Sequence, residues 1–439
     1  MSTTLAVLRQ RTLESVGDYI SVAVTTDIDA NNSVISTNLK EYDGGTDDYF
    51  NGWYCYIVNQ NNAGVERQIS DYATATGTIT VRGAALSNDG ASTATIWVCR
   101  HSVLQSIDKA LNRSLEELYP SVHNKIDDLT VITGNSLPDG SFEWWTSSTA
   151  LKLYTTSNVT LARTTSGNNY RGAMGTTSMK ATATGADGYA LLTSDNYPRL
   201  LDLMGRTVNF YCWAKPEVAN DASIIIYTLQ ADGTAQTLSS TTATPAGNFS
   251  LIKLEDQVLN DDLVECQVRF QVATNTKYVY FDDAVLSGEN LFEYLLPDAF
   301  QDGTVSQVYK QTESYSKDVA AYDLHPRKWM REGFKVIEGD AYKYLRLDRL
   351  PTNYRRLRLI GASPLDTLSA ATDTISIDAG GRTDLIVAYA VYLMYEMEEA
   401  PLSSEDTSRY ERESSKRYAK YIRLLRRHRM VPPAGTLRV

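Results

Sequence analysis

The sequence predicts an α+β multidomain chain in which helices from both termini form one body, a small antiparallel β module follows the first helix, and an all-β sandwich is inserted. Three observations predict it. Apolar residues recur at helical spacing near both ends of the 439 residues, residues 20–100 switch to short alternating runs between turn clusters, and residues 135–288 carry longer alternating runs with few helix signals. At roughly 150 residues per domain, this length allows two to four folded units, each able to bury a core.

The elements follow in order. In TTLAVLRQRTLESVG, Leu5, Leu8, Thr12 and Val16 share a helical face, Thr4 can cap the start and Gly17 can stop the helix. From Ile20 to Arg100, runs such as WYCYIV, GTITV and TATIWVCR lie between DGGTDD, NQNNAG and SNDG, the pattern of a small antiparallel sheet. Ser102 and Gln105 then form a capping box ahead of Leu104, Ile107, Leu111, Leu115 and Leu118, and Pro120 closes that helix. The block from about Asn135 to Gly288 is rich in Thr, Ser, Gly and Ala. In its strand TVNFYCWAK, Val208, Phe210, Cys212 and Ala214 alternate with Asn209, Tyr211, Trp213 and Lys215, as a half-buried sandwich strand requires. Residues 289–380 mix short strands with basic and aromatic residues and show no clear topology. Thr383 can cap an apolar-all-round helix through Glu399, which suits a core or an oligomer interface, with Pro401 as its breaker. Ser404 can cap a last helix to about Met430. It carries Tyr418, Tyr421, Ile422 and Leu425 on one side and Lys416, Lys420, Arg423 and Arg427 striped along another.

Composition narrows the chemistry. The chain has 42 basic and 53 acidic side chains, yet residues 409–439 alone hold 10 basic and 2 acidic ones. That segment is a separate electrostatic object: a solvated helix face, or a surface for an acidic protein or nucleic acid. Arginine-rich binding to DNA would show a steep salt dependence, lost when the four striped cations are neutralised. Cys55, Cys99, Cys212 and Cys266 form no CxxC and sit in strand-like runs, so buried free thiols are expected, with a disulfide or metal pair as the lesser alternative. His101, His123, His325 and His428 share no metal-binding spacing. GxSxG and Walker motifs are absent, and the many acidic pairs single out no glycosidase site, so a non-enzymatic protein is expected. The apolar run from Asp384 to Tyr395 is too short to span a bilayer, and MSTTLAVLRQR does not read as a secretory signal, so neither membrane insertion nor export is expected.

Two resemblances sharpen the expectation. The β block opens with LPDGSFEWW (Leu137 to Trp145), contains FYCWAKPE and closes with YVYFDDAVL (Tyr278 to Leu286). It resembles the jelly-roll carbohydrate-binding modules, which implies a structural calcium where the two ends of the domain meet. Glu143, Asp282 and Asp283 are its candidate ligands by that resemblance. Glycan binding in that fold stacks sugar rings on exposed aromatic faces, so Trp144, Trp145, Tyr189, Tyr211, Trp213 and Tyr227 are the candidate residues. The competing expectation is structural: Trp213 and Trp144 occupy places the fold uses for packing, and a fold by itself licenses no ligand.

The second resemblance lies in LAVLRQRTLESVGDY, DGGTDDYFNGWYCYIVN, AGVERQISDY and HSVLQSIDKALNRSLEELYP, with LRLIG, TDLIVAYAVYLMYE and the basic tail near the end. Together these are similar to head-to-tail adaptor, or neck, proteins of tailed bacteriophages. That resemblance implies a helical adaptor body in four parts: residues 1–134, the inserted jelly roll at 135–288, residues 289–408, and a basic helix and tail at 409–439. It further implies a structural virion protein of the neck, assembled in the host bacterial cytoplasm as a dodecameric ring. Its partners would be other copies of itself, the portal protein, a tail or nozzle protein and the genomic DNA passing through the channel. Lys416, Tyr418, Lys420, Tyr421, Arg423, Leu425 and Arg427 would dock on the portal, cations around an apolar anchor. The rival expectation is a glycan-binding tail or receptor-binding protein in which the jelly roll meets a cell-surface glycan.

Overall fold

The computed structural model describes residues 3–26, 28–90, 93–101, 103–171, 175–240, 245–288, 291–312, 329–377, 380–399 and 404–430. The chain divides into two compact units, residues 1–124 with 364–431, and residues 125–363 with 432–439.

The first unit holds four helices: α1 (Leu5–Val16), α2 (Leu104–Glu117), α3 (Gly381–Glu399) and α4 (Ser404–His428). α1 starts and stops where its sequence says. Thr4 Oγ1 accepts from the Val7 amide at 3.3 Å, and Gly17, at φ +79°, closes the helix by donating to the Leu13 carbonyl. α3 starts at Gly381, so Thr383 lies inside its first turn, and Pro401 falls outside the described residues. Its apolar surface is used within the chain: Leu385, Ile386, Ala390 and Leu393 are buried in one core with Leu8 of α1 and Ile107 and Leu111 of α2. Tyr389 and Tyr392 meet Tyr421 and Tyr418 of α4, with ring centroids 4.5 and 5.2 Å apart. A buried ion pair ties α1 to α2, with Arg9 Nε 2.7 Å from Asp108 Oδ1.

A six-stranded antiparallel sheet completes this unit, in the order Ile20–Ala23, Thr95–Cys99, Tyr54–Ile57, Glu66–Ala73, Thr78–Val81, Ser33–Ile35. It curls on itself, because the Thr25 amide beyond the first strand donates to the Ile35 carbonyl of the last at 2.9 Å. Ile69, Ile79, Ile96, Val98 and Phe50 fill its interior.

The second unit contains a sandwich of two five-stranded antiparallel sheets. One runs Tyr154–Ser157, Gly188–Thr193, Leu263–Val272, Ala222–Gln230, Ala235–Ser239. The other runs Val159–Thr164, Ser178–Ala183, Tyr278–Ser287, Thr207–Pro216, Ser250–Val258. Alternation decides which side chains enter: along Leu263–Val272, Cys266, Val268, Phe270 and Val272 are buried while Glu265, Gln267, Arg269 and Gln271 face outward. Phe270 is the hub of the core, with Phe142, Phe210 and Phe281 rings 5.2 to 5.7 Å away. Each buried ring stabilises the fold by about 2 kcal/mol through the area it removes from water.

Two smaller sheets follow within the same unit. Glu293–Leu295, Lys343–Leu347 and Phe334–Glu338 form one, and Trp329–Glu332, Thr304–Gln311, Leu357–Ser363 and Asn124–Asp128 the other. They share a core of Phe300, Val308, Leu345, Leu357 and Leu359.

These sheets correct the expected fold class. With two two-stranded sheets, Thr3–Thr4 with Thr374–Ile375 and Trp145–Ser147 with Ala150–Leu151, the described residues form seven separate antiparallel sheets that dominate a mixed α+β chain, not a helix-dominated adaptor body with a single inserted jelly roll. The physical reason is that helical periodicity is visible within one segment. Apart from the hairpin of Phe334–Glu338 with Lys343–Leu347, the short strands of residues 289–380 pair over tens of residues, as Glu293 with Arg346 and Thr304 with Ala362.

Candidate functional site: the outer face of a sandwich sheet

The sheet centred on Leu263–Val272 turns a row of polar and aromatic side chains away from the core. Cross-strand register builds it. Gln271 lies opposite Tyr189 and Ser223, Arg269 opposite Leu191 and Ile225, and Gln267 opposite Thr193 and Tyr227. Tyr189 and Tyr227 thus flank the central strand on opposite sides, each diagonal to Arg269. The Arg269 guanidinium carbon lies 5.2 Å from the Tyr189 ring centroid and 4.3 Å from that of Tyr227. The two rings therefore lie within the length of a disaccharide.

Hydrogen bonds hold the polar members in place. Arg269 Nε donates to Gln267 Oε1 at 2.7 Å, and Gln267 Nε2 donates to Glu265 Oε1. At the other end, Gln271 accepts from Ser223 at 2.6 Å and donates to Asp187 at 2.7 Å. Tyr189, Tyr227, Gln267, Arg269 and Gln271 are all half-buried, so each keeps part of its surface open. Such a face offers ring surfaces with donors and acceptors between them, the combination that binds a polyhydroxylated ring.

The other aromatic candidates do not join this face. Trp144 is buried in the sandwich core, and Trp145 donates its indole N–H to the Phe142 carbonyl at 2.7 Å. Tyr211 and Trp213 point outward from the opposite sheet. There, the Tyr211 hydroxyl donates to Glu255 at 3.1 Å and the Arg171 guanidinium stacks 3.4 Å above the Trp213 ring. Of the six, Tyr189 and Tyr227 share this face, and Tyr211 and Trp213 share the outer face of the other sheet. Sequence reasoning missed Arg269, Gln267, Gln271 and Glu265. The signal was present in ECQVRFQV, whose polar residues all fall on one face of a strand.

Of the candidate calcium ligands, Glu143 Oε1 accepts from the Thr176 and Thr177 amides at 2.5 and 2.7 Å. Asp282 accepts from the Arg171 and Asp283 amides at 2.7 and 2.8 Å, and Arg171 Nε lies 3.9 Å from Asp283 Oδ2. Burial, reinforced by the Asp283 charge, pushes the Asp282 carboxyl well above its usual range. Among the described residues, no group of three or more His, Cys, Asp or Glu is placed to hold a metal ion. The two amides fill Glu143 Oε1, whereas each Asp282 oxygen accepts a single amide and keeps a second lone pair, the kind of donor a hard cation takes.

The four cysteines are buried and free. Burial raises every one of these thiols, Cys55 and Cys266 to about 12, which removes them as nucleophiles near neutral pH. His123, also buried, has Nδ1 2.9 Å from the Pro120 carbonyl.

On α4, the residues expected to dock on a portal divide differently. Tyr421 and Leu425 pack on the helical core, and Tyr418 contacts Tyr392. Lys416 pairs with Glu413 at 2.5 Å, Arg423 and Arg427 are exposed, and Lys420 is half-buried. Part of the apolar flank thus packs within the chain, while Tyr418 stays 46% exposed.

No family model matches the chain, and no curated protein matches it. Among solved structures it is similar to the enzymatically active domain of tailspike protein 4 of bacteriophage CBA120, at 18% identity and a TM-score of 0.27, over 36% of this chain and 22% of that one. It is also similar to the C-terminal family 22 carbohydrate-binding module of a Clostridium thermocellum xylanase, at 14% identity and a TM-score of 0.28, over 35% of this chain and 93% of that one. A xylan-binding family 22 module from Paenibacillus barcinonensis is 16% identical with a TM-score of 0.27, over 38% of this chain and 97% of that one. These are a tailspike domain and carbohydrate-binding modules, not connectors. The head-to-tail adaptor assignment is corrected accordingly, together with the neck, connector and portal-binding terms that went with it. Likenesses of this size assign no function by themselves, and the functional reading rests on the outer sheet face.

Proposed function

We propose that the protein is a non-catalytic glycan-binding protein that works on a virus particle or otherwise outside the cell, and that its site is the outer face of the Leu263–Val272 sheet. One observation carries this reading: Tyr189 and Tyr227 flank Arg269 on a face whose polar side chains are held by hydrogen bonds, Arg269 to Gln267 to Glu265 at one end and Gln271 between Ser223 and Asp187 at the other. Sugar rings stack on the tyrosines while their hydroxyls exchange hydrogen bonds with the polar row. Pre-oriented side chains lower the entropy lost on binding.

A glycan array followed by calorimetry on the strongest ligand tests it. Tyr189→Ala and Tyr227→Ala are each expected to weaken binding by about tenfold, since each removes a stacking surface. Tyr211→Phe, on the opposite sheet, is expected to leave it unchanged. An array without a ligand, or tyrosine variants that bind as the parent does, overturns the reading.

A further inference from the structure

The face proposed above as a glycan site carries a cation without a protein counter-charge. Three other partly buried arginines have carboxylate partners, Arg9 with Asp108, Arg199 with Glu293 and Arg358 with Asp127, while Arg67 and Arg355 bond to backbone carbonyls. Arg269 has no carboxylate within ion-pair distance among the described residues, although it is half-buried between two ring faces. The acid on its own strand, Glu265, is engaged by the Gln267 amide, which stands between it and the guanidinium. Gln267 Oε1 also accepts from Arg269 Nε, which fixes the plane of the guanidinium and leaves the two Nη groups free of hydrogen bonds within the described residues.

An oriented guanidinium with its Nη edge open matches a carboxylate in two parallel charge-assisted hydrogen bonds. A partly desolvated charge also gains more from a counter-ion than an exposed one does. We propose that this face selects an acidic glycan, a sugar chain carrying a carboxylate of the uronic- or sialic-acid type. The carboxylate sits on Arg269 and the neighbouring pyranose faces stack on Tyr189 and Tyr227. Glu265, at the far end of the row, accepts from a hydroxyl and opposes a second carboxylate there, so the site reads one acid in one orientation. The net charge of the whole chain is −11, which opposes general attraction of polyanions, whereas the cations of residues 409–439 attract them without regard to this face. The preference that belongs to this position is the part that is lost with Arg269.

This inference rests on the glycan-binding reading, and one experiment separates their failures. The full chain is titrated with polygalacturonate, alginate, hyaluronan and polysialic acid, each beside its own carboxyl-reduced, neutral form. At least one acidic polymer is expected to bind about tenfold or more tightly than its reduced form, in proportion to the loss of a charge-assisted bond. Arg269→Gln is expected to abolish that ratio and Arg269→Lys to keep part of it, with thermal unfolding recorded for both variants. The reduced polymers vary the ligand alone, so the comparison does not depend on a variant folding. Equal or tighter binding of the neutral forms overturns the acidic preference and leaves glycan binding standing. A preference that survives Arg269→Gln in a folded variant overturns the role of this residue. No binding to any polymer of either kind, with an empty array, overturns both.

Discussion

Asp139 shows how one residue can organise a loop and carry a pH dependence. Its carboxylate accepts from the Glu143 and Trp144 amides at 3.0 and 2.9 Å, closing the turn that delivers Phe142 to the core and Glu143 to the loop at 176–177. Phe142 adopts φ +55° there, an uncommon conformation for a bulky side chain that the two amide bonds hold in place. Burial raises the Asp139 carboxyl to about 7, against the two amide bonds that favour its charge. The sign follows from proton linkage. Between its ordinary value of 3.8 and about 7 the folded chain binds more protons than the unfolded one, so this group's contribution is full below that window and is lost as pH rises through it. Urea unfolding at several pH values from about 4 to about 7 is expected to show stability falling with pH, with a shallower slope in Asp139→Asn. An identical slope in the variant would assign the dependence to other groups, such as Asp128, which burial raises to about 6.

At the scale of elements, helix starts separate local from tertiary information. α1 is capped by Thr4, as its own sequence says. The capping box expected at α2 rests on Ser102, which lies outside the described residues, and the cap position, Val103, makes no side-chain cap bond. The donor that a cap would satisfy, the Leu104 amide, gives its hydrogen bond to Glu66 Oε1 of the small sheet at 2.8 Å. A carboxylate at a helix N-terminus satisfies an orphan N–H and complements the helix dipole. Glu66→Ala is expected to cost about 1 kcal/mol in chemical denaturation, while Glu66→Gln, which keeps an acceptor, costs less. Equal losses would mean that charge, not the hydrogen bond, matters. The capping box at 102–105 was legible but incomplete. Its rival acceptor is 38 residues away in sequence, where no local pattern reveals it.

For the second unit as a whole, the sandwich is not closed off at its own strands. Leu295, from the small sheet that follows, is buried in the sandwich core, and Tyr342 and Tyr344 pack against it. The Tyr354 and Ser287 hydroxyls form a further tie, 2.5 Å apart. A fragment of residues 135–288 is therefore expected to melt at a lower temperature than one of residues 125–363, because it leaves the Leu295 site open and exposes apolar core surface. Matching melting temperatures would show that the sandwich is self-sufficient.

The amino-acid sequence by itself determined what periodicity and composition can encode: four helices, sandwich strands with the right faces inward, and four interior thiols. These depend on neighbours within a few residues, where spacing of 3.6 or 2 assigns each side chain a face. Only the tertiary structure decided the rest. It brought Tyr189 and Tyr227 to opposite sides of Arg269, sent Tyr211 and Trp213 to the other sheet, and set Tyr421 and Tyr418 of α4 against Tyr389 and Tyr392 of α3. The physical reason is that strand order and register join residues about 40 to 80 positions apart. Which aromatic side chains share a face follows from pairing that no local window contains.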